Sequence, residues 1–412
     1  MSAITEKMDK LGERVGHSEL RKRTAALEHA RDAHELNELI TRHSIAHSEL
    51  ASTLGLHRSK LHQIVNEAIE KGAMDEVQRD VNKYNYTLRH VHQLFDYLDQ
   101  PRWLNDFKEC VVMAISNLKG GTGKSSTTIH LAVALALDLM MRPRVLVVDL
   151  DPQGSLSSYG LTAEDDETNI VTAIDISLGN FENEMYQALV NEGFTHDDVI
   201  NAALIETHIP NLHIMPALTH DERFVAAYYG AEESQRPNVL KSFRDEVIEK
   251  VKDDYDIILI DTGPRNDPLS WAAFEAANAV LTPVSPRTLD WNATGLFLRS
   301  LSPTIEEVCP SKGENLKWFK VAPVNVEITY DRDKAMVNAI MQESGLNAIT
   351  NHIVRSPAFE LANSKYVSVF DLKKKDSNIN PKHIDSAVNS VKSFAHEVKM
   401  SLATVFGAYG NE

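Results

Sequence analysis

Residues 111 to 126 constrain this chain more than any other stretch. An apolar run, Val111 to Ile115, leads into Ser116-Asn117-Leu118-Lys119-Gly120-Gly121-Thr122-Gly123-Lys124-Ser125-Ser126, and a long apolar-periodic segment follows. That order predicts a buried strand, a glycine-rich loop and a helix. Glycines at 120, 121 and 123 are expected to supply positive φ, so that consecutive N–H groups converge on phosphate oxygens at a positively polarised helix end. Lys124 adds a charge suited to the β- and γ-phosphates, and the Ser125 hydroxyl is placed to ligate Mg²⁺. Against the pattern G-x-x-x-x-G-K-[ST] the last three positions fit, while Leu118 stands where the first glycine belongs and Lys119 follows it.

From Val111 onward, strand-like and helix-like segments alternate. The pattern predicts an α/β fold, a doubly wound, mostly parallel sheet of the P-loop NTPase kind. The helix after the loop is expected to run from Ser125 to about Met140. Two short apolar runs end in carboxylates: Val145 to Asp149, continuing to Asp151 and Gln153, and Ile257 to Asp261, the Walker B pattern. A carboxylate at the carboxyl end of a parallel strand faces the crevice where ligands bind, and there it holds a metal-bound water rather than attacking substrate. Further strands are expected near Asn211–Pro216, Val280–Pro286 and Phe319–Asn325, the last ending in an amide able to pair with a base edge. Residues 160–250 carry little recognisable chemistry, and 221–252 reads as mostly helical.

The first hundred residues have another character. They hold 14 Lys and Arg against 16 Asp and Glu, with 9 of the 17 histidines, so the net charge of −17 belongs mainly to the rest. An acidic total does not exclude a DNA partner, because a duplex senses the local basic patch. Residues 1–40 read as a helical segment, a possible dimerisation element. Residues 41–104 read as a small winged helix-turn-helix domain: Ser48 is expected to cap a first helix, Gly55 closes it, and Ser59 starts a second with Leu61, Ile64, Val65 and Ala68 inward. Arg58, Ser59, Lys60 and Gln63 are then the positions offered to a major groove. A hairpin over 77–88 is a plausible wing, and Pro101 marks the boundary before an ATPase domain at 105–412.

Two cysteines, Cys110 and Cys309, are too few for a disulfide framework or an iron–sulfur set, and point to packed thiols in a reducing cytoplasm. No segment approaches the roughly 18 consecutive apolar residues of a membrane span, and the N-terminus carries no leader pattern. The terminal stripe from Ile384 to Val405 reads as a packed helix rather than a lipid-binding one. Lys373-Lys374-Lys375 reads as a solvated face.

The form K-G-G-x-x-K-[ST] over Lys119 to Ser125, with Asp149 to Gln153 and Asp254 to Pro264, resembles the deviant Walker A ATPases of the ParA/MinD superfamily. The winged segment ahead of the ATPase is similar to the larger, type Ia ParA proteins that segregate plasmids and prophages. The resemblance implies an ATPase using ATP/ADP and Mg²⁺, a homodimer, DNA as ligand and a ParB-type centromere-binding partner, without a membrane, at the nucleoid. It implies that Lys119 reaches a partner's nucleotide, Lys124 holds phosphate, and Asp151 orients the hydrolytic water. Ser125 would be the direct Mg²⁺ ligand, with Asp149 and Asp261 acting through water. Gly120, Gly121, Thr122, Gly123 and Ser126 would cradle phosphate, with Pro286 and Asn325 near the adenine. Arg355 would contact DNA without sequence preference. In this reading the ATP form binds DNA non-specifically, and the ADP or apo form binds its operator and represses transcription. A MinD-like membrane-cycling ATPase and a nucleotide-sensing repressor without turnover are the alternatives.

Overall fold

The computed structural model describes residues 33–77, 79–80, 83–154, 156–159, 170–181, 184–373 and 378–407. The expected helical segment at 1–40 therefore lies largely outside the described residues, as do Lys374 and Lys375; its end is the helix Ala33–Arg42.

The N-terminal unit is built from short elements around one small core. Strand β1 (Ile45–Ala46) is followed by helices His47–Thr53 and Arg58–Glu70, then β2 (Arg79–Asp80), β3 (Lys83–Tyr86) and the helix Leu88–Tyr97. The three strands form an antiparallel sheet in the order β1-β3-β2. Leu50, Leu61, Val65, Ala68, Tyr86, Val91, Leu94 and Phe95 close its core. Gly55 supplies the left-handed residue between the two helices, at φ 64°. Two expected helix starts are corrected. The first helix begins at His47 with Ala46 at the cap and no side-chain cap bond, so Ser48 lies inside the first turn. The second begins at Arg58, capped by the His57 ring, which accepts from the Ser59 N–H. Ile64 is only half-buried, whereas Leu61, Val65 and Ala68 face inward.

Beyond the boundary, seven strands form one sheet. β4 (Val111–Ile115), β5 (Val145–Asp149), β6 (Ile205–Glu206), β7 (Leu212–Met215), β8 (Ile257–Asp261), β9 (Ala279–Val284) and β10 (Trp318–Pro323) lie in the order β10-β9-β4-β8-β5-β7-β6. All neighbours are parallel except β6 on β7. The central strands β4, β5 and β8 are apolar up to the aspartates that end β5 and β8, because both faces are covered. Val111, Met113, Ile115, Val145, Val147, Ile257 and Leu259 meet the helices Lys124–Ala136 and Pro381–Phe406 on one side. Val112, Ala114, Leu146, Val148, Ile258 and Ile260 meet the helices Arg236–Phe243 and Pro268–Ala276 on the other. The terminal helix thus buries Ile384, Val391, Phe394, Val398 and Leu402 against the sheet, as its stripe predicts.

The helix after the glycine loop is shorter than expected. It stops at Ala136, and the Asp138 carboxylate then accepts the N–H groups of Met140 and Met141, at 3.1 and 3.2 Å, which turns the chain away. Arg142 docks the two units. Its guanidinium is buried, stacks over Phe95, and donates to the Asp96 carboxylate at 2.7 Å and the Gln100 carbonyl at 2.9 Å.

Candidate nucleotide-binding site

The loop between β4 and the helix Lys124–Ala136 opens at the carboxyl edge of the sheet. Gly121 and Gly123 hold φ of 74° and 86°, a region L side chains rarely enter. Gly120 does not, which corrects the expectation that all three glycines supply positive φ. Gly123 is the N-cap of the helix and offers no side-chain oxygen, so the first N–H groups of the helix are left for an anion.

Asn117 anchors the loop's start. Fully buried, it donates through Nδ2 to the Pro283 carbonyl at 2.9 Å and the Thr294 hydroxyl at 2.8 Å, and its Oδ1 accepts the Lys119 N–H at 3.1 Å. The Lys119 carbonyl in turn accepts from the Thr122 hydroxyl at 3.2 Å and the Lys124 ammonium at 3.4 Å. Lys124 is buried, and burial lowers its pKa while Asp261 and Asp151 oppose that shift. Lys119 itself is exposed, with no ion-pair partner for its ammonium among the described residues. Leu118, in the missing-glycine position, packs its side chain against the apolar layer on one face of the sheet.

Two carboxylates close the other side. Asp149 and Asp261 are paired across β5 and β8 at the strand ends, and both are buried. Burial raises both: Asp149 well above the usual carboxylate range, with repulsion from Asp261 adding to it, and Asp261 to about 7, with repulsion from Asp151 adding to it. Asp149 accepts the N–H groups of Asp151 and Leu156, each at 3.0 Å, so both its oxygens hold the loop that follows β5. Asp261 Oδ1 accepts from the Thr128 hydroxyl at 3.0 Å, whereas its Oδ2 is buried without a hydrogen-bond partner. The Ser125 hydroxyl, Lys124 and Thr128 oppose the rise in the Asp261 pKa. An orphaned carboxylate oxygen beside a hydroxyl is a hard, oxygen-only donor set, and it fits Mg²⁺. Asp151, also buried, accepts the Gln153 N–H at 3.1 Å and lies against Gly263, where an added Cβ would meet its Oδ1 at 3.4 Å.

Beyond the loop lies a cavity of about 220 Å³ lined by Gly123, Ser126, Asn325, Arg355, Phe359 and neighbouring residues. Asn325 enters it from the end of β10 with φ 57°, and Arg355 is fixed by its own N–H donating to the Val326 carbonyl at 2.8 Å. The structure therefore brings Asn325 and Arg355 together beside the loop. Pro286 is buried past the end of β9 and is not among the cavity's lining residues. Arg58, Ser59, Lys60 and Gln63 are exposed on the first turns of their helix, as expected. His47 fixes that helix: its Nδ1 accepts from the Tyr86 hydroxyl at 2.8 Å and its Nε2–H donates to the Arg58 carbonyl at 2.9 Å.

The sequence reading missed three supports. Asn117 and Thr128 lie in or next to the motif but show their roles only through contacts from β9 and β8. His130, wholly buried under the loop, donates from Nδ1 to the Ser126 carbonyl at 2.7 Å and sits edge-on to Phe359. Burial holds it neutral, with a pKa near 4.

Residues 110–318, just over half of the chain, match a family model described as AAA domain. The chain's relatives include partition proteins. Plasmid partition protein A of Escherichia coli is 28% identical over 264 residues, 62% of this chain and 63% of that protein. This chain belongs to the ParA family of ATPases. A putative replication protein A of Sinorhizobium fredii is 27% identical over 85% of the chain and 84% of its own length. The match to the Escherichia coli ParA relative spans less than two thirds of that protein. A solved partition protein shares the fold, with a TM-score of 0.64 at 20% identity over 95% of this chain and 99% of its own.

Proposed function

We propose that this ParA-family protein is a nucleotide-switched DNA-partition ATPase. The observation that carries the reading is that Lys124 and Ser125, which follow the Gly121–Gly123 turn, both act on the Asp261 carboxyl at the end of β8, one oxygen of which is buried without a hydrogen-bond partner. Helix N–H groups and Lys124 hold the phosphates of ATP. Ser125 directly, and Asp261 and Asp149 through water, would hold Mg²⁺, which would supply charge neutralisation on the phosphates. Asp151 orients the attacking water, as a carboxylate at the mouth of the crevice rather than as a nucleophile. Asn325 and Pro286 contact the adenine.

Lys119 is solvent-facing because its task lies across a dimer interface, where it approaches the partner's nucleotide. The ATP-bound dimer binds DNA without sequence preference, with Arg355 as one phosphate contact. The ADP or apo form presents Arg58, Ser59, Lys60 and Gln63 to an operator and represses transcription. A ParB-type partner accelerates hydrolysis and ends the DNA-bound state at the nucleoid. Against a membrane-cycling reading, the terminal helix has its apolar stripe packed on the sheet, and no described helix is long and apolar enough to cross a membrane.

The test is ATP turnover and electrophoretic DNA binding by Lys124→Ala, with operator and random duplexes under ATP, ADP and no nucleotide. Turnover and ATP-dependent binding to random duplex are expected to vanish while apo operator binding persists. Unimpaired turnover sinks the site assignment.

A further inference from the structure

Outside the nucleotide site, three side chains meet from distant parts of the chain. His43 follows the helix Ala33–Arg42, His208 lies between β6 and β7, and Asp371 ends the short 3-10 turn Val369–Asp371. His43 Nε2 is 2.7 Å and His208 Nε2 2.8 Å from the same oxygen, Asp371 Oδ1. The three donor atoms all lie within 4.8 Å of one another. The two rings run nearly side by side, centroids 5.7 Å apart and planes inclined by 26°, so both Nε2 edges address one point.

The surroundings fix this geometry. Asp371 is fully buried, and its other oxygen accepts both the N–H and the hydroxyl of Ser368, at 2.8 and 2.5 Å. The carboxylate therefore cannot rotate, and Oδ1 stays aimed at the rings, as outer-shell partners do for metal-ligating carboxylates. The Arg42 guanidinium donates to the Asp371 carbonyl, and the Lys373 ammonium to Glu38, so this turn and the residues just after it grip the first described helix at two points.

We propose that His43, His208 and Asp371 bind one divalent transition-metal cation, with Zn²⁺ as its representative, and that the ion fastens the N-terminal helix to the ATPase sheet. Two imidazole nitrogens and one carboxylate oxygen form a donor set zinc accepts, with water completing a tetrahedron. Nitrogen ligands also separate this site from the oxygen-only Mg²⁺ site at Ser125 and Asp261. In the metal-free protein, two Nε2–H groups share the Asp371 oxygen. Donors about 2.1 Å from a common ion sit roughly 3.4 Å apart, so loading needs each Nε2 to withdraw from the Asp371 oxygen by about 0.6–0.7 Å. Both histidines are partly exposed, with side chains at 10% and 12%, which gives the ion a path in.

The test uses the full-length protein, stripped with chelator and free of nucleotide and Mg²⁺. Zn²⁺ is titrated in competition with a chromophoric chelator, and Co²⁺ is added separately to read its visible spectrum. One tight equivalent of Zn²⁺ and a four-coordinate Co²⁺ band are expected. His208→Ala should weaken binding by more than about 100-fold and abolish the band. His43→Ala, which removes a ligand outside the ATPase fold, should do the same with ATP turnover intact, so a folding failure at His208 does not decide the result. If the wild type takes up no stoichiometric metal, or if His43→Ala binds it equally well, the cluster is a hydrogen-bonded clasp and the proposal is overturned.

Discussion

Asn117→Ala tests whether a buried side chain sets the loop that the nucleotide needs. Asn117 is fully buried, and its amide ties Lys119, two residues on, to Pro283 and Thr294, more than 160 residues on. Truncation leaves the Pro283 carbonyl and the Lys119 N–H short of a bond, while the Thr294 hydroxyl keeps its own bond to the Asp290 carbonyl at 2.8 Å. Two stranded polar groups at about 1–3 kcal/mol each, with a small void added, give an expected loss of about 3 kcal/mol. The loss extends beyond stability, because the Lys119 N–H fixes the carbonyl on which Thr122 and Lys124 converge. Nucleotide affinity should therefore weaken, by roughly tenfold if about 1.4 kcal/mol of loop order must be recovered on binding. Urea unfolding followed by circular dichroism, with titration of a fluorescent ATP analogue on the same preparations, measures both. A stability loss below about 0.5 kcal/mol with unchanged nucleotide affinity would refute the anchoring role.

Asp261 carries a raised pKa in the folded state, about 7 against the ordinary 3.8 of an aspartate, so the native state holds a proton that the unfolded chain releases. Without Mg²⁺, its contribution to stability is present below about pH 4 and fades as pH rises through 7. Asp261→Asn is accordingly expected to raise the melting temperature more at pH 8 than at pH 5, and to abolish hydrolysis; an equal shift at both pH values contradicts the assignment. Lys119→Ala should leave ATP affinity within a few-fold of wild type while ATP-driven DNA binding collapses, and a parallel fall in both returns Lys119 to an ordinary loop lysine. Arg142→Ala removes the buried guanidinium that joins the two units, and should cost about 3 kcal/mol and speed proteolysis near residues 98–102. Arg58→Ala and Lys60→Ala should each weaken operator binding. Where the lost contact is to phosphate, the slope of log affinity against log salt should fall by about one; unaltered operator binding by both rules out this helix as the reader.

The sequence by itself determined the elements whose chemistry is local. The strand, loop and helix at 111–136 were legible because apolar runs, glycines and the Lys-Ser pair are adjacent in the chain, and Asp149 and Asp261 announced themselves by ending such runs. The helix-turn-helix spacing and the terminal apolar stripe were legible for the same reason, since helical period and turn chemistry are set within a few residues. Tertiary structure decided everything that depends on neighbours from other strands. Both oxygens of Asp149 are occupied by backbone N–H groups while one oxygen of Asp261 stays unpartnered, a difference no spacing encodes. Gly120 proved free of the positive φ that Gly121 and Gly123 require, because φ reflects the path of the folded loop and not the residue's identity. The meeting of His43, His208 and Asp371 depends on long-range packing alone: residues 328 apart share one oxygen only after the sheet and its flanking helices have closed.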